Sequence, residues 1–172
     1  CTVPVSVNVS RVDIFDIDLL SYLKEIVEEN GIDTSDLRLE ITETAYTDNV
    51  DQIVGVVKEL QKAGFMVEMD DFGSGYSSLN MLKDIPVDVL KLDMGFLRKT
   101  THEKRSRTIM NAVIDMSKKL GLTVVTEGVE TIEQVEYLTE AGCDIFQGYY
   151  FSKPVPVKEF EAKYLLDRRA IR

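Results

Sequence analysis

Short apolar segments alternate with longer amphipathic segments along the whole chain, and this alternation restricts the possible folds more than any other feature. The first segment has a two-residue period that places Val5, Val7 and Val9 on one face. Strands that alternate with helices are typical of a parallel sheet covered by helices. The six predicted strands are Val3–Val9, Leu37–Ile41, Phe65–Met69, Val87–Leu92, Leu122–Thr126 and Asp144–Gln147.

A helical segment follows each predicted strand. Asp48 is a candidate N-cap, Gly31 and Gly64 are candidate stops, and Thr131 and Gln134 have the spacing of a capping box. The predicted helices cover about 16–30, 48–64, 78–83, 104–120, 131–142 and 157–166. In the helix over 104–120, the predicted buried face consists of Ile109, Val113, Met116 and Leu120.

An open doubly wound sheet and a closed barrel both fit this alternation, and the polar residues at the strand ends distinguish them. In a barrel the carboxyl ends of the strands converge on one mouth, whereas in an open sheet six strand ends spread too widely to share one ligand. The pattern therefore favours a (β/α)8 TIM-type barrel. These polar residues are Asn8, Glu40, Asp70, Asp71, Lys91, Glu127 and Gln147.

The length of the chain limits how much of such a barrel is present. A complete barrel has eight units and about 250 residues, whereas this chain has 172 residues and about six units. The chain also opens at Cys1, directly before a predicted strand. We therefore expect a partial barrel whose first units lie upstream of Cys1.

Composition excludes several classes of function. The formal net charge of −10 argues against a binder of duplex DNA, which needs a basic face, although bound metal ions can still attract phosphates. Cys1 and Cys143 form neither a metal-ligand spacing nor a disulfide framework, so a reducing cytosol is the expected setting. No apolar run has the length of a membrane span, and no signal peptide is visible. The expected location is cytoplasmic, without membrane contact by this segment.

The adjacent carboxylates Asp70 and Asp71 end a predicted strand just before the glycine-rich turn of Gly73 and Gly75. Two neighbouring ionised carboxylates repel each other and usually require a cation or a basic partner. The alternative is a polar turn in which one aspartate caps the next helix. The Gly-Ser-Gly sequence itself is weak support for a phosphate loop, because no GxGxxG or GKS pattern follows.

Ordinary structural roles are also open for the other polar residues. Lys91 could form a simple ion pair with Asp93, Glu127 could cap a helix, and Asn8 could satisfy backbone groups. Each of these alternatives explains one residue. The joint occurrence of a suitable group at all six strand ends instead favours a common site.

Six motifs resemble the EAL family of cyclic-di-GMP phosphodiesterases. They are VNVS (7–10), LEITET (39–44), DDFGSGYSSL (70–79), LKLD (90–93), TEGVET (126–131) and GCDIFQGYYFSKP (142–154). The resemblance covers almost the whole chain. It implies that residues 1–172 are the C-terminal two-thirds or more of one EAL domain, with no second domain. It also implies hydrolysis of cyclic di-GMP to linear pGpG with Mg²⁺ or Mn²⁺ in a two-metal site.

The resemblance also assigns roles to individual residues. Glu127 is similar to the proposed general base, Lys91 to the lysine that orients the attacking water and a phosphate oxygen, and Glu43 to a glutamate that steadies the loop after the second strand. The remaining assignments are Asn8, Glu40, Asp70 and Asp71 as metal ligands, with Asp93, Glu130 and Gln147 as supporting or substrate-binding residues. Thr126 and Ser74 depart from the residues usual in the family.

The Glu-Ala-Leu segment that names the family does not occur in this sequence, and its glutamate is a metal ligand in the family. We expect that segment upstream of Cys1, and we expect the 172 residues alone to be weakly active or inactive. The resemblance further implies a homodimer in a bacterial second-messenger pathway, with sensory or GGDEF-type domains elsewhere in the full-length protein. The full-length protein could be anchored in a membrane through such domains.

Two other functions remain open at this point. One is a non-hydrolytic receptor for cyclic di-GMP, or a degenerate EAL regulatory module. The other is a barrel lyase of the enolase type, in which carboxylates hold Mg²⁺ and a lysine abstracts a proton from carbon. The consecutive pair Asp70-Asp71 favours two metals and a phosphate over the lyase.

Overall fold

A computed structural model shows a parallel six-stranded sheet that is curved into a half-barrel. It describes residues 3–16, 18–47, 50–73, 82–95 and 103–165. Neighbouring strands in the sheet follow the chain order from first to last, whereas a doubly wound sheet reverses its order at a switch point. The predicted barrel architecture is therefore confirmed. The strands are β1 (Val5–Asn8), β2 (Leu37–Thr42), β3 (Met66–Phe72), β4 (Val89–Asp93), β5 (Thr123–Glu127) and β6 (Ile145–Phe146).

Helices precede or follow these strands at nearly the predicted positions. The helix expected over 16–30 is α2 (Leu19–Asn30), which begins at Leu19 because Asp18 accepts a hydrogen bond from the N–H of Ser21, and a separate short helix that was not predicted from the sequence precedes it. Asp48 and most of the helix expected over 78–83 lie outside the described residues. The described helices are α1 (Arg11–Asp16), α2 (Leu19–Asn30), α3 (Val50–Lys62), α4 (Glu103–Lys119), α5 (Ile132–Ala141) and α6 (Val157–Phe160). A π-turn, Glu161–Leu165, continues α6.

The two faces of the sheet have different partners, as the side-chain alternation of strands requires. One face packs on the helices: Leu39, Ile41 and Met69 are fully buried there, together with Ile53 of α3 and Ile114 of α4. The opposite face lines the inside of the half-barrel and carries most of the polar strand residues. This division brings the candidate site residues to the inner face.

The buried face of α4 agrees with the predicted one at Val113 and Met116, which pack against the core, and differs from it at the other two positions. Ile109 and Leu120 are 41% and 54% exposed, whereas Met110, Ile114 and Ser117 are buried. Ser117 can be buried because its hydroxyl donates to the carbonyl of Val113 one turn earlier. The buried stripe of α4 therefore includes serines. It is rotated around the helix axis by about one residue from the predicted stripe, which contains Ile109.

Strand β3 continues through both aspartates instead of stopping before them. Met69 pairs with Leu90 and Phe72 pairs with Leu92, so β3 contains one more residue than β4 over this interval, a β-bulge. Asp71 within the bulge has a φ of 57°, in the left-handed region. The extra residue returns Phe72 to the buried core with Met69. Asp71 is thereby exposed at the end of the strand.

Among the helices that the structure describes, none has both the length and the apolar character needed to cross a membrane.

Candidate active site

Lys91 of β4 lies at the centre of the site. Its Nζ is 2.8 Å from Glu40 Oε1, 3.3 Å from Asp70 Oδ1 and 2.7 Å from Glu127 Oε1. These carboxylates, rather than Asp93, are the ion-pair partners of Lys91 among the described residues. Four strands, β2 to β5, therefore place their side chains at one point on the inner face, as the sequence predicts.

The environment of Lys91 keeps it charged. The side chain is 5% exposed, and burial alone would lower the pKa of the ammonium group. Hydrogen bonds to Glu127 and Glu40 and the charge of Asp70 outweigh burial and raise the pKa above its ordinary value. A permanently protonated Lys91 is thus a fixed positive charge among three carboxylates.

Glu127 has an environment suited to proton transfer. Burial raises the pKa of its carboxyl group, and the nearby charges of Asp70 and Glu40 act in the same direction, while Lys91 opposes them. Helix α5 is capped by Thr131, so Glu127 is not its cap. A carboxylate with an increased affinity for protons at the rim of a barrel is a candidate general base.

The bulge in β3 makes both aspartates available at the mouth. Asp70 Oδ1 accepts a hydrogen bond of 2.9 Å from the N–H of Asp71 and also faces Lys91. Burial raises the pKa of Asp71, and repulsion from Asp70 and Asp93 raises it further. An alternating strand without a bulge would direct consecutive side chains to opposite faces. Here the carboxylate of Asp71 is close enough to those of Asp70 and Asp93 to be repelled by both.

Glu43 supports the loop that follows the bulge. It is 2% exposed, and its Oε2 accepts a hydrogen bond of 3.0 Å from the N–H of Gly73. The contact joins the end of β2 to the end of β3 directly behind Asp70 and Asp71. Asp93 has a comparable local bond, since its Oδ1 accepts from the N–H of Gly95 at 2.6 Å.

Three further predicted residues lie at or after the ends of β1, β5 and β6. Asn8 is exposed at the end of β1 and is paired in register with Glu40. Glu130 and Gln147 line a cleft of 1340 Å³ together with Glu127. The backbone connects this rim, because the N–H of Val129 donates to the carbonyl of Gln147. Glu127 therefore belongs both to a central group around Lys91, with Glu40 and Asp70, and to a lateral group along the cleft, with Glu130 and Gln147.

The aromatic residues after β6 border the same cleft. Tyr149 and Phe151 line it and are 61% and 51% exposed in the part of the chain that the structure describes. The ring of Phe151 is stacked on Phe146 and lies edge-to-face with Tyr150. Exposed aromatic rings beside a polar rim are suited to contacts with flat ring systems.

The negative charge of the central group suits a divalent cation. In this structure, however, the carboxylates of the group are arranged around the ammonium group of Lys91. Within the described residues, no three or more His, Cys, Asp or Glu side chains are arranged to hold a metal ion on their own. Instead, the ammonium group of Lys91 offsets only part of the charge of Glu40, Asp70 and Glu127. Oxygen donors with excess negative charge are the ligands that Mg²⁺ and Mn²⁺ prefer.

Sequence reasoning missed one polar cluster on the inner face. Glu68 of β3 is 2% exposed, and it accepts a hydrogen bond from Ser6 and pairs with Arg38. Its signal in the sequence is the polar residue Glu68 between the apolar residues Val67 and Met69 of a predicted buried strand.

Comparison with known proteins agrees with this architecture. The EAL domain family matches residues 2–154. The cyclic di-GMP phosphodiesterase NbdA of Pseudomonas aeruginosa is 38% identical over 166 residues, which make up 95% of this chain and 21% of NbdA. The chain thus spans about a fifth of the length of this curated relative.

Solved structures show the same fold. The PaMucR phosphodiesterase in complex with c-di-GMP has a TM-score of 0.84 at 32% identity, with 91% of this chain and 64% of that chain covered. The manganese and cyclic di-GMP complex of Klebsiella pneumoniae BlrP1 has a TM-score of 0.80 at 33% identity, with 88% and 39% covered. Both likenesses extend over most of the half-barrel described above.

Proposed function

The chain belongs to the EAL domain family, and from this premise we propose that it carries the active site of a metal-dependent phosphodiesterase that hydrolyses cyclic di-GMP to linear pGpG. The observation that supports the proposal most directly is the contact of Lys91 with Glu40, Asp70 and Glu127. This contact brings together the positive charge of Lys91, the carboxylate oxygens of Glu40 and Asp70 as possible metal ligands, and the carboxylate of Glu127 as a possible base. The proposed metal-assisted hydrolysis of a phosphodiester uses all three.

The proposed metal ligands are the oxygen-bearing residues at the ends of β1, β2 and β3. When bound, Mg²⁺ or Mn²⁺ would lower the pKa of a water molecule and offset charge on the phosphoryl oxygens. The manganese and cyclic di-GMP complex of the related protein BlrP1 supports this choice of ion. The proposed ligands are Asn8, Glu40, Asp70 and Asp71.

Glu127 and Lys91 have complementary roles in the proposed reaction. Glu127 accepts the proton of the attacking water, for which its raised pKa prepares it. Lys91 is held charged by its partners, and it orients the water and stabilises the negative charge that develops on the phosphate. Lys91 also limits the repulsion among the carboxylates before substrate binds.

The remaining residues position the substrate or the ligands. Glu43 holds the loop behind Asp70 and Asp71 through the N–H of Gly73. Asp93, Glu130 and Gln147 are proposed as supports along the mouth and the lateral cleft. Tyr149 is proposed to stack on a guanine base of the dinucleotide, which its exposed ring at the cleft supports.

The larger context of the domain is also proposed. The relatives are much longer than this chain, and one relative is a bifunctional diguanylate cyclase and phosphodiesterase. We propose that the full-length protein combines this domain with sensory or GGDEF-type domains, acts as a homodimer, works in the cytoplasm and gains a further metal ligand from an EAL segment. Residues 1–172 then represent the C-terminal two-thirds or more of one EAL domain.

The test is the rate at which the full-length protein converts cyclic di-GMP to pGpG with Mn²⁺, before and after Glu127→Gln. We expect a decrease of at least about 100-fold, because the amide cannot accept the proton. Glu136→Gln on the exposed face of α5 is the matched control and should retain the rate. Equal rates for Glu127→Gln and the unsubstituted protein would exclude Glu127 as the base. Binding of cyclic di-GMP without any turnover would support the receptor function instead.

A further inference from the structure

A second polar cluster lies on the inner face, apart from the group around Lys91. Ser6 Oγ donates to Glu68 Oε2 at 3.2 Å, and Arg38 Nη1 lies 3.4 Å from Glu68 Oε1. The carboxylate of Glu68 is almost completely buried, with 3% of its side chain exposed. We call Ser6, Arg38 and Glu68 the Glu68 cluster.

The Glu68 cluster has a simple positional relationship to the proposed metal ligands. Each member lies two residues before a proposed ligand on the same strand. Because side chains alternate along a strand, residues two apart share a face. The pairs are Ser6 with Asn8 on β1, Arg38 with Glu40 on β2, and Glu68 with Asp70 on β3. The cluster therefore forms the layer directly below the ligands.

The contacts within the cluster connect strands that are not neighbours. Ser6 on β1 reaches Glu68 on β3 across the intervening strand β2. Strand β1 pairs only with β2 among the described strands, so this side-chain bond is a second constraint on its position. A small slide of β1 along β2 would break the bond and would move Asn8 relative to Asp70.

The cluster is not arranged for maximum stability. Arg38 Nε is buried and has no hydrogen-bond partner in the part of the chain that the structure describes. Replacing a buried ion pair by apolar side chains often leaves stability unchanged or raises it. A role in positioning therefore explains this arrangement better than a contribution to folding.

We propose that the Glu68 cluster positions Asn8, Glu40 and Asp70, and thereby sets the affinity of the site for divalent cations. This inference rests on the proposed function, because it takes these three residues to be metal ligands. Residues that hydrogen-bond to metal ligands typically change metal affinity 10–100-fold, and the Glu68 cluster, which acts on the ligands through their strands, is expected to have an effect at the lower end of that range. The Glu68 cluster would change the metal affinity by fixing the register of β1, β2 and β3 relative to one another.

The experiment measures Mn²⁺ binding by calorimetry without substrate, together with the free energy of unfolding. The double substitution Arg38→Met with Glu68→Leu removes the pair and leaves the net charge unchanged. We expect about tenfold weaker Mn²⁺ binding at equal or greater stability. Unchanged Mn²⁺ affinity in the folded double variant would overturn the inference, and so would a loss of affinity that only parallels a loss of stability.

Two single variants keep the inference testable if the double variant does not fold. Ser6→Ala removes one exposed hydroxyl and should weaken Mn²⁺ binding by about threefold, as the loss of part of one hydrogen bond would. Arg38→Lys retains the charge pair and should bind Mn²⁺ almost as the unsubstituted protein does. Full affinity in Ser6→Ala would contradict the inference. If the unsubstituted protein binds no Mn²⁺, both the inference and the proposed metal dependence fail. If it binds Mn²⁺ and the variants bind equally well, only the inference fails.

Discussion

Asp88 and Asp144 make the same contact at the amino ends of alternate strands. Asp88 Oδ2 accepts a hydrogen bond of 2.8 Å from the N–H of Val67, and Asp144 Oδ2 accepts one of 2.8 Å from the N–H of Val124. Each aspartate immediately precedes its own strand, β4 or β6, and binds the preceding strand in the sheet. The amino ends of two strand pairs are thus joined by the same side-chain bond.

The contact of Asp144 predicts how stability depends on pH. Partial burial alone would raise its pKa, but hydrogen bonds from Lys118 and the N–H of Val124 lower it below the ordinary value. A lowered pKa means that the carboxylate stabilises the fold above the unfolded pKa of about 3.9 and loses this effect as the pH falls through the folded pKa. We expect Asp144→Asn to lower the free energy of unfolding at pH 7 by about 1 kcal/mol.

Denaturant unfolding at several pH values checks this prediction. The difference between Asp144→Asn and the unsubstituted protein should shrink below pH 4, where the carboxylate becomes protonated. Asp115→Asn is the matched control, because Asp115 forms an exposed ion pair with Lys119 one turn away on α4. Its effect should stay below about 0.5 kcal/mol. A pH-independent difference for Asp144→Asn would show that its charge is not the cause.

Replacement of Lys91 by methionine should affect both stability and activity. Without the ammonium group, Glu40, Asp70 and Glu127 repel each other, and the pKa of Glu127 should rise further above its ordinary value. A carboxylate with a raised folded pKa favours the folded state at low pH, so the stability deficit of Lys91→Met should increase as the pH rises. Turnover of cyclic di-GMP should fall by at least about 100-fold.

Unfolding experiments between pH 4 and 8, combined with turnover measurements, test the role of Lys91. Lys119→Met removes an exposed lysine of α4 and is the control for the loss of one positive charge. Equal pH dependence for the two lysine variants would mean that Lys91 does not hold the carboxylates together.

The left-handed backbone of Asp71 predicts that a glycine variant is more stable than an alanine variant. The φ of 57° at Asp71 is strained for most residues but not for glycine. Asp71→Gly should therefore be more stable than Asp71→Ala by about 1 kcal/mol, although glycine normally weakens a strand. Thermal unfolding compares the two variants directly. An alanine variant as stable as the glycine variant would indicate that the bulge relaxes when the carboxylate is removed.

Gly148 is predicted to tolerate no side chain. A Cβ at this position would clash with the carbonyl oxygen and the nitrogen of Val129. Gly148→Ala should destabilise the protein by about 1–3 kcal/mol through forced backbone movement, and it should disturb the rim that carries Glu130 and Gln147. Gly55→Ala within α3 is the control, because a Cβ there has open space and should stabilise the helix by about 0.5–1 kcal/mol.

Differential scanning calorimetry of the two glycine variants gives the comparison. Opposite signs for Gly148→Ala and Gly55→Ala are expected. A Gly148→Ala protein with unchanged stability would mean that the loop after β6 can move away from Val129 at little cost.

The architecture of this chain could be predicted from its sequence because the relevant patterns are local. The alternation of Leu39 and Ile41 with Arg38 and Glu40 is visible in the sequence and matches the two faces of β2. The capping box of Thr131 and Gln134 also forms as predicted. The convergence of Glu40, Asp70 and Glu127 on Lys91 follows from the parallel sheet, since all the strands end at the same mouth.

Features that depend on neighbouring elements could not be predicted in this way. The amphipathic pattern of α4 favours Ile109, but the sheet selects the stripe with Ser117, which can pack closely and satisfy its own hydroxyl. The bulge at Asp71 depends on the pairing of β3 with β4, which no single segment contains. The partnership of Arg38 with Glu68 likewise requires the strand register. The catalytic roles of the site residues stay predictions until the variants are measured.

The strand order has a consequence for how the chain is made. Each strand from β2 onward pairs with the strand that immediately precedes it in the sequence. On a ribosome, where the amino-terminal part emerges first, every newly released strand therefore finds its partner already outside the exit tunnel. The sheet can grow by successive additions at one edge, and none of these five additions has to wait for residues that are still to be translated.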